Sequence, residues 1–365
     1  MPPLAVLIKP ASGLCNLRCA YCFYHDVTEH RETAQFGCMT QETAQALIEK
    51  ALAFADGESV SFAFQGGEPL IAGLDYFRDF LRIVGEKNSK KSRVSYSIQT
   101  NGTLLDADWA RFFRAHRFLV GLSLDGNAKA HRFRTDANGE STWHAVINAA
   151  ALLEKHGVEF NILTVLTGWC AEHIEEVYRF FRTKGFRHLQ FIPCLRPFGD
   201  ESESALYMTV PQYAQFLIKL FRLYARDYAR GQYTSVRQLD NFVRLYLGQQ
   251  PEQCGMAGHC MYQFVIEGNG NVYPCDFYCT DEWLLGSIRE IDFKALSESE
   301  NAQSFLQESF QQRPECKACR YYPICRGGGC KRSRADRNYC AAYQEFFQAC
   351  EPLFQQFEKR YCFDK

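Results

Sequence analysis

Three cysteines stand close together near the start of the chain, Cys15, Cys19 and Cys22, in the spacing C-x3-C-x2-C. A structural zinc site usually takes four ligands, and no fourth of the usual spacing lies nearby. Three thiolates instead suit an iron–sulfur cubane with one iron left open, where the amino and carboxylate groups of a substrate can bind. The plainer alternative is three core or loop cysteines without metal. The chain has 17 cysteines in 365 residues, and most of the others lie between Cys254 and Cys350. The opening run Met1–Lys9 is too short and lacks the basic leader of an export signal. A cytoplasmic, reducing setting is therefore expected, in which so many thiols point to metal rather than to disulfides.

A scaffold must hold that loop, and the first two-thirds of the chain alternates between two patterns. Short apolar runs predict strands at Leu4–Ile8, Val60–Phe64, Val94–Gln99, Phe118–Leu124, Phe160–Leu166 and His188–Ile192. Between them, 3.6-residue apolar spacing predicts helices such as Gln41–Ala55, Ala107–His116, Thr142–His156 and Ala171–Lys184. Strands each followed by a helix imply an α/β parallel sheet, and six rather than eight of them a partial (β/α)6 barrel. Glycines and polar residues sit just past the strand ends: Gln65-Gly-Gly-Glu-Pro69, Thr100-Asn-Gly102 and Ser123-Leu-Asp-Gly126. Barrel active sites occupy that C-terminal rim, although each segment taken alone has the composition of an ordinary turn.

Two further helices, around Val210–Arg230 and Ser235–Leu247, lead into the cysteine-rich tail. The expected division is a barrel over 1–230 and an auxiliary domain with a C-terminal helix over 231–365. Hydrophobic residues make up 47% and charged residues 23%, as in ordinary soluble domains. A net charge of -1 supplies no basic field for nucleic acid or an acidic membrane, and no stretch of about 18 apolar residues predicts a membrane span.

The segment Cys15-Asn-Leu-Arg-Cys19-Ala-Tyr-Cys22 resembles the radical S-adenosylmethionine signature, including the aromatic residue before the last cysteine. Cys260-x9-Gly270-x4-Cys275, Cys316-x2-Cys319-x5-Cys325, Cys330 and Cys340 resemble the auxiliary-cluster (SPASM) extension of peptide-modifying radical enzymes. Finer similarity, to the anaerobic sulfatase-maturating enzymes, lies in Met1-Pro-Pro-Leu4, Ile8-Lys-Pro-Ala-Ser12, Tyr21-Cys-Phe-Tyr24, Phe62-Ala-Phe-Gln-Gly-Gly-Glu-Pro69 and Tyr273-Pro-Cys-Asp-Phe-Tyr278. With the tail cysteines, the resemblance covers nearly the whole chain.

That resemblance implies oxidation of a Cys or Ser of a sulfatase to Cα-formylglycine under anaerobic conditions, with S-adenosylmethionine and three [4Fe–4S] clusters as cofactors. Cys15, Cys19 and Cys22 would hold the first cluster. Cys254, Cys260, Cys275 and Cys330 would hold the second, and Cys316, Cys319, Cys325 and Cys340 the third. Gly66, Gly67 and Glu68 match the loop for the cofactor's amino group. Tyr21, Ser123, Asp125, Arg134 and Leu195 match further cofactor contacts, with the loop after His131 one residue shorter than the family's. Asp276 matches the catalytic base. Gln65, just before the glycine pair, suits either a position facing the target residue or a turn. A sulfatase segment of the type Cys/Ser-x-Pro-x-Arg is the implied partner, flavodoxin or ferredoxin the implied electron donor, and a monomer the default.

Two features leave alternatives open. Cys325-Arg-Gly-Gly-Gly-Cys330 has four intervening residues where the family usually has three, a difference that glycines can absorb. On spacing alone, Cys316, Cys319, Cys325 and Cys330 also suit a zinc ribbon. Cys38, Cys170, Cys194, Cys279, Cys350 and Cys362 read as ordinary thiols, with Cys279 and Cys350 the rivals for a ligand position. Rival functions are another peptide-modifying radical enzyme that forms thioether or carbon–carbon links, and an electron carrier or zinc module without turnover.

Overall fold

A computed structural model describes residues 3–310 and 313–363, with side chains to residue 359. Met1 and Pro2 of the sequence resemblance, and the Cys362 side chain, lie outside the described residues. Strands β1 (Leu4–Ile8), β2 (Val60–Phe64), β3 (Val94–Thr100), β4 (Leu119–Ser123), β5 (Phe160–Leu166) and β6 (His188–Pro193) match the predicted runs to within a residue at each end. Four short strands follow: β7 (Ser235–Val236), β8 (Val265–Ile266), β9 (Asn271–Tyr273) and β10 (Gly286–Ser287). Elements of two or three residues are too short to show a period, so the sequence did not predict them. One of them, β7, takes the first residues of the expected helix Ser235–Leu247, which begins instead at Arg237.

The chain divides into two compact units, neither of them a single run. One comprises Met1–Ser123, Phe133–Phe160 and Tyr262–Phe305. Its strands lie in the order β10-β9-β8-β1-β2-β3-β4, parallel from β8 to β4 and antiparallel at β9 and β10. Buried strand residues form the core under the helices. Val60, Phe62 and Phe64 of β2 pack with Leu47, Ile48 and Ala51 of helix Gln41–Ala55 and with Phe77 and Phe80 of helix Leu74–Lys87. The Phe62 and Phe64 rings meet Phe80 and Phe77 edge-on at 5.2 and 4.9 Å, the arrangement that ring quadrupoles favour. Helix Gln41–Ala55 starts where the Thr40 side chain accepts the Thr43 backbone N–H.

The second unit comprises Leu124–Arg132, Asn161–Met261 and Leu306–Lys365. In it β5, β6 and β7 run parallel. Helix Val210–Ala229, opened by a Thr209–Gln212 capping box, packs on the terminal helix Cys340–Phe363, with Phe221 against Phe354 at 4.4 Å. The helix expected at Ala171–Lys184 is two, Gly168–Glu172 and Ile174–Thr183, divided at His173, whose ring stacks on Trp169 at 4.1 Å. Among the described residues no helix is long and apolar enough to cross a membrane.

The return of residues 262–305 to the first unit matters most for the site. Leu7 and Ile8 of β1 pair in parallel with Val265 and Ile266 of β8. Just beyond, the fully buried Arg31 and Glu267 side chains pair at 2.8 Å, Tyr24 donates its hydroxyl to Glu267, and Arg31 also donates to the Cys279 carbonyl. Burial disfavours the Arg31 charge, but Glu267, Tyr24 and Cys279 together outweigh it and keep the guanidinium ionised. Removing one member of such a pair strands a buried charge. Arg31→Leu should therefore cost roughly 3–5 kcal/mol of stability by denaturant titration, and Arg31→Leu/Glu267→Leu should recover a large part of it. A single variant within experimental error of the parent would show that the pair does not hold the return segment.

Candidate active site

The first strand runs directly into the cysteine loop. Residues 17–20 are held by backbone pairing with 133–136: Leu17 bridges Asp136, and Arg18 and Ala20 donate to the Thr135 and Phe133 carbonyls at 2.7 and 3.0 Å. Cys22 then serves as N-terminal cap residue of helix Phe23–Glu29. The Cys15 sulfur accepts the Leu17 N–H at 3.4 Å and the Asn101 amide at 3.9 Å. Burial pushes the Cys15 thiol up to about 11, so a thiolate there calls for nearby positive charge.

Against this loop lies Gln65-Gly-Gly-Glu-Pro69. Gly66 and Gly67 have φ of 94° and 49°. A Cβ on Gly67 would stand 2.1 Å from the Leu14 carbonyl oxygen, and one on Gly66 would stand 2.6 Å from Lys9 Cγ. Both positions therefore need glycine, for the backbone angle and for the close approach. Glu68 is fully buried and occupied by the protein itself: it accepts the Leu70 and Asn101 N–H groups at 3.0 and 2.8 Å and the Thr100 hydroxyl at 2.8 Å. Glu68 thus braces the ends of β2 and β3.

Asp276, just after β9 and next to Cys275, is buried and gripped at both oxygens. Lys9 forms an ion pair with Oδ1, and the Gln65 amide donates to Oδ2 at 2.5 Å. The Lys9 ammonium also lies 3.4 Å from the centre of the Tyr24 ring. Burial opposes the Lys9 charge, yet Asp276, Cys279 and Glu267 together outweigh it, and its pKa is raised. Sequence reasoning marked Asp276 and Gln65 but missed Lys9, Tyr24, Glu267 and Arg31. The one available signal was a lysine directly ending an apolar strand. Its partner is 267 residues away.

The remaining expected cofactor contacts are placed as follows. Ser123 ends β4 and accepts the Gln99 amide at 2.9 Å. Arg134 is buried with its guanidinium 5.3 Å from the Tyr21 ring, and Tyr21 is buried too. In the second unit, Asp125 accepts the Val165 N–H at 2.9 Å, and Leu195 is buried just past β6.

Among the tail cysteines, Cys316, Cys319, Cys325 and Cys340 line one cavity of about 210 Å³, with Tyr339 and Tyr343. Burial pushes the Cys325 thiol up to about 12, which makes metal binding and proton release go together. No three His, Cys, Asp or Glu side chains among the described residues converge on a point suited to a single ion. The fourth thiol lining the cavity is Cys340 and not Cys330, the set expected for the third cluster rather than that of the zinc ribbon. Cys254 has Cys260 and Cys330 near enough that they, after burial, raise its thiol pKa. Between Cys325 and Cys330, Gly327, Gly328 and Gly329 all take positive φ. Cys275 belongs to the first unit. Of the other thiols, Cys38 is exposed, and Cys170, Cys194, Cys279 and Cys350 are buried. Cys279 and Cys350 do not line the 210 Å³ cavity.

Comparison with known proteins agrees with this geometry. Residues 10–181 match the Radical SAM superfamily, and residues 254–320 match an iron–sulfur cluster-binding domain, SPASM. The chain is 43% identical over 96% of its length to a cysteine-type anaerobic sulfatase-maturating enzyme of Clostridium perfringens, covering 97% of that protein. A serine-type anaerobic sulfatase-maturating enzyme of Bacteroides thetaiotaomicron is 29% identical, over 98% of this chain and 92% of its own. The solved structure of native anSMEcpe with bound AdoMet and Cp18Cys peptide has a TM-score of 0.92 at 40% identity, covering 98% of this chain and 99% of that one.

The buried Glu68 yields a pH test. Burial raises its folded pKa from 4.5 to about 7, against the hydrogen bonds that lower it. Its contribution is therefore full below 4.5 and lost as pH rises through about 7. Glu68→Gln, neutral throughout, should gain on the parent by about 3 kcal/mol across that window. Urea titrations of cluster-loaded protein without S-adenosylmethionine measure it; a pH-independent difference would mean that burial does not dominate at Glu68.

Proposed function

Because this chain belongs to the anaerobic sulfatase-maturating enzymes, radical S-adenosylmethionine enzymes with an auxiliary iron–sulfur domain, we propose that it oxidises a cysteine of a sulfatase polypeptide to Cα-formylglycine. The observation that carries this reading is the whole-length match to a cysteine-type relative, at 43% identity. The serine-type relative, at 29%, makes cysteine the preferred target. The fold is the partial (β/α)6 barrel of the superfamily with its SPASM extension, and the cofactors are S-adenosylmethionine and [4Fe–4S] clusters. We assign radical chemistry to residues 1–230 and the auxiliary clusters to 231–365. The reaction is placed in the cytoplasm of a monomeric enzyme supplied with electrons by a flavodoxin or ferredoxin.

Cys15, Cys19 and Cys22 would hold the cluster that works with S-adenosylmethionine. Cys254, Cys260, Cys275 and Cys330 would hold one auxiliary cluster, and Cys316, Cys319, Cys325 and Cys340 the other. Bound together, these groups supply a 5′-deoxyadenosyl radical that abstracts hydrogen, and a sink for one electron. Gly66, Gly67 and Tyr21 offer the cofactor a close backbone approach, with Glu68 bracing the loop. Ser123, Asp125, Arg134 and Leu195 complete the assigned contacts.

The balance at the target is simple. Its Cβ loses a hydrogen atom, its thiol loses a proton and the resulting radical anion loses an electron, leaving a thioaldehyde. Water then exchanges sulfur for oxygen with release of hydrogen sulfide. Asp276 takes the thiol proton as general base. Lys9 and Gln65 hold that carboxylate in place.

The test is an anaerobic reaction of cluster-loaded enzyme, reductant and S-adenosylmethionine with a peptide carrying Cys-x-Pro-x-Arg. Mass spectrometry should find the aldehyde peptide in step with 5′-deoxyadenosine, and a Ser-x-Pro-x-Arg peptide should react more slowly. Asp276→Asn should lower aldehyde formation roughly 10²–10⁴-fold, the range for a lost general base, while 5′-deoxyadenosine still forms. Cofactor cleavage with both peptides unchanged would sink the sulfatase assignment.

A further inference from the structure

Asp276 is not held by its neighbours in sequence. Its two clamps come from adjacent strand ends. In the parallel register Ile8 stands opposite Phe64, so Lys9 and Gln65, one residue further on, emerge side by side. The Gln65 N–H donates to the Ile8 carbonyl at 2.9 Å, and the Lys9 N–H donates to the Ile266 carbonyl at 2.8 Å. Lys9 is wholly buried, and its stem is confined: a methyl group on Gly66 would stand 2.6 Å from its Cγ and 2.9 Å from its Cδ. At the far end the ammonium is fixed between the Asp276 carboxylate and the face of Tyr24. Tyr24 is in turn fixed through its hydroxyl to Glu267, which Arg31 holds.

We propose, on the basis of the function assigned above, that Lys9 is a positioning residue for the oxidation: threaded between the Gly66 backbone and the Tyr24 ring, it locks the Asp276 carboxylate in one orientation and ties it to the loop that cradles the cofactor. A buried lysine that served stability alone would be inefficient, since replacing a buried ion pair by apolar groups is often neutral or stabilising. Holding a base to within a fraction of an ångström has a different value, because misplacement of about 1 Å costs on the order of 100-fold in rate. Lys9 touches neither target nor cofactor in this scheme and acts only through Asp276. The glycine at 66 then has two duties: backbone approach to the cofactor, and clearance for the Lys9 stem.

The test compares Lys9→Met, Lys9→Gln, Asp276→Asn and Lys9→Met/Asp276→Asn, each loaded with clusters and checked for iron content and S-adenosylmethionine affinity. In Lys9→Met, kcat for the cysteine peptide should fall about 100-fold with KM nearly unchanged, and 5′-deoxyadenosine should accumulate in excess over aldehyde. The double variant should match Asp276→Asn, since Lys9 has no other route to the reaction. It removes both charges together, so the comparison survives if Lys9→Met alone fails to load. A crystal structure of Lys9→Gln should show the Asp276 carboxylate turned or disordered. An unmoved carboxylate, a tightly coupled Lys9→Met enzyme, or a double variant slower than Asp276→Asn would each overturn the proposal. A parent enzyme that cleaves the cofactor but leaves the peptide unchanged would instead overturn the function on which it rests.

Discussion

The ion pair between Lys9 and Asp276 is the constraint on which the rest of the first unit converges. Two opposite charges, both shielded from water, can stay ionised only if each has the other and further polar partners. Lys9 arrives from the end of β1, Gln65 from the end of β2 and Asp276 from the segment after β9. The pair therefore requires that residues 262–305 return beside β1, and the β1–β8 pairing with the buried Arg31–Glu267 contact is how they do so. A buried carboxylate is thereby fixed by chain segments far apart in sequence, at the C-terminal ends of interior strands.

The glycine pair after β2 serves the same arrangement from another side. Gly67 lets the loop close on the Leu14 carbonyl, and Gly66 gives passage to the Lys9 stem. The cysteine loop and the glycine loop are consequently packed against each other through backbone, and the Lys9 and Gln65 side chains join Asp276 to them. Glu68 stabilises that contact by accepting donors from the ends of two strands. A polar loop over a sheet edge would ordinarily be mobile. Here its backbone is tied down wherever a reacting group must be aimed.

The thiols follow a different logic. At the 210 Å³ cavity, burial makes the Cys325 thiol costly to ionise. A polynuclear iron–sulfur group bound there would supply the positive charge that such a thiolate needs. The three glycines before Cys330 all take positive φ, which turns the chain between Cys325 and Cys330.

By itself, the sequence determined the local elements and the reacting groups. Short apolar runs placed β1 to β6 to within a residue at each end, because buried strands gather apolar residues in order along the chain. Cysteine spacing marked the cluster loop and the tail, since a metal cluster imposes its own distances on nearby ligands. Tertiary structure alone decided what surrounds Asp276. Strands as short as β8 and β9 carry no periodic signal, and Lys9 and Asp276 are 267 positions apart. Neither charge looks unusual within its own segment; their partnership is set by burial at the ends of interior strands, which exists only once the chain has folded.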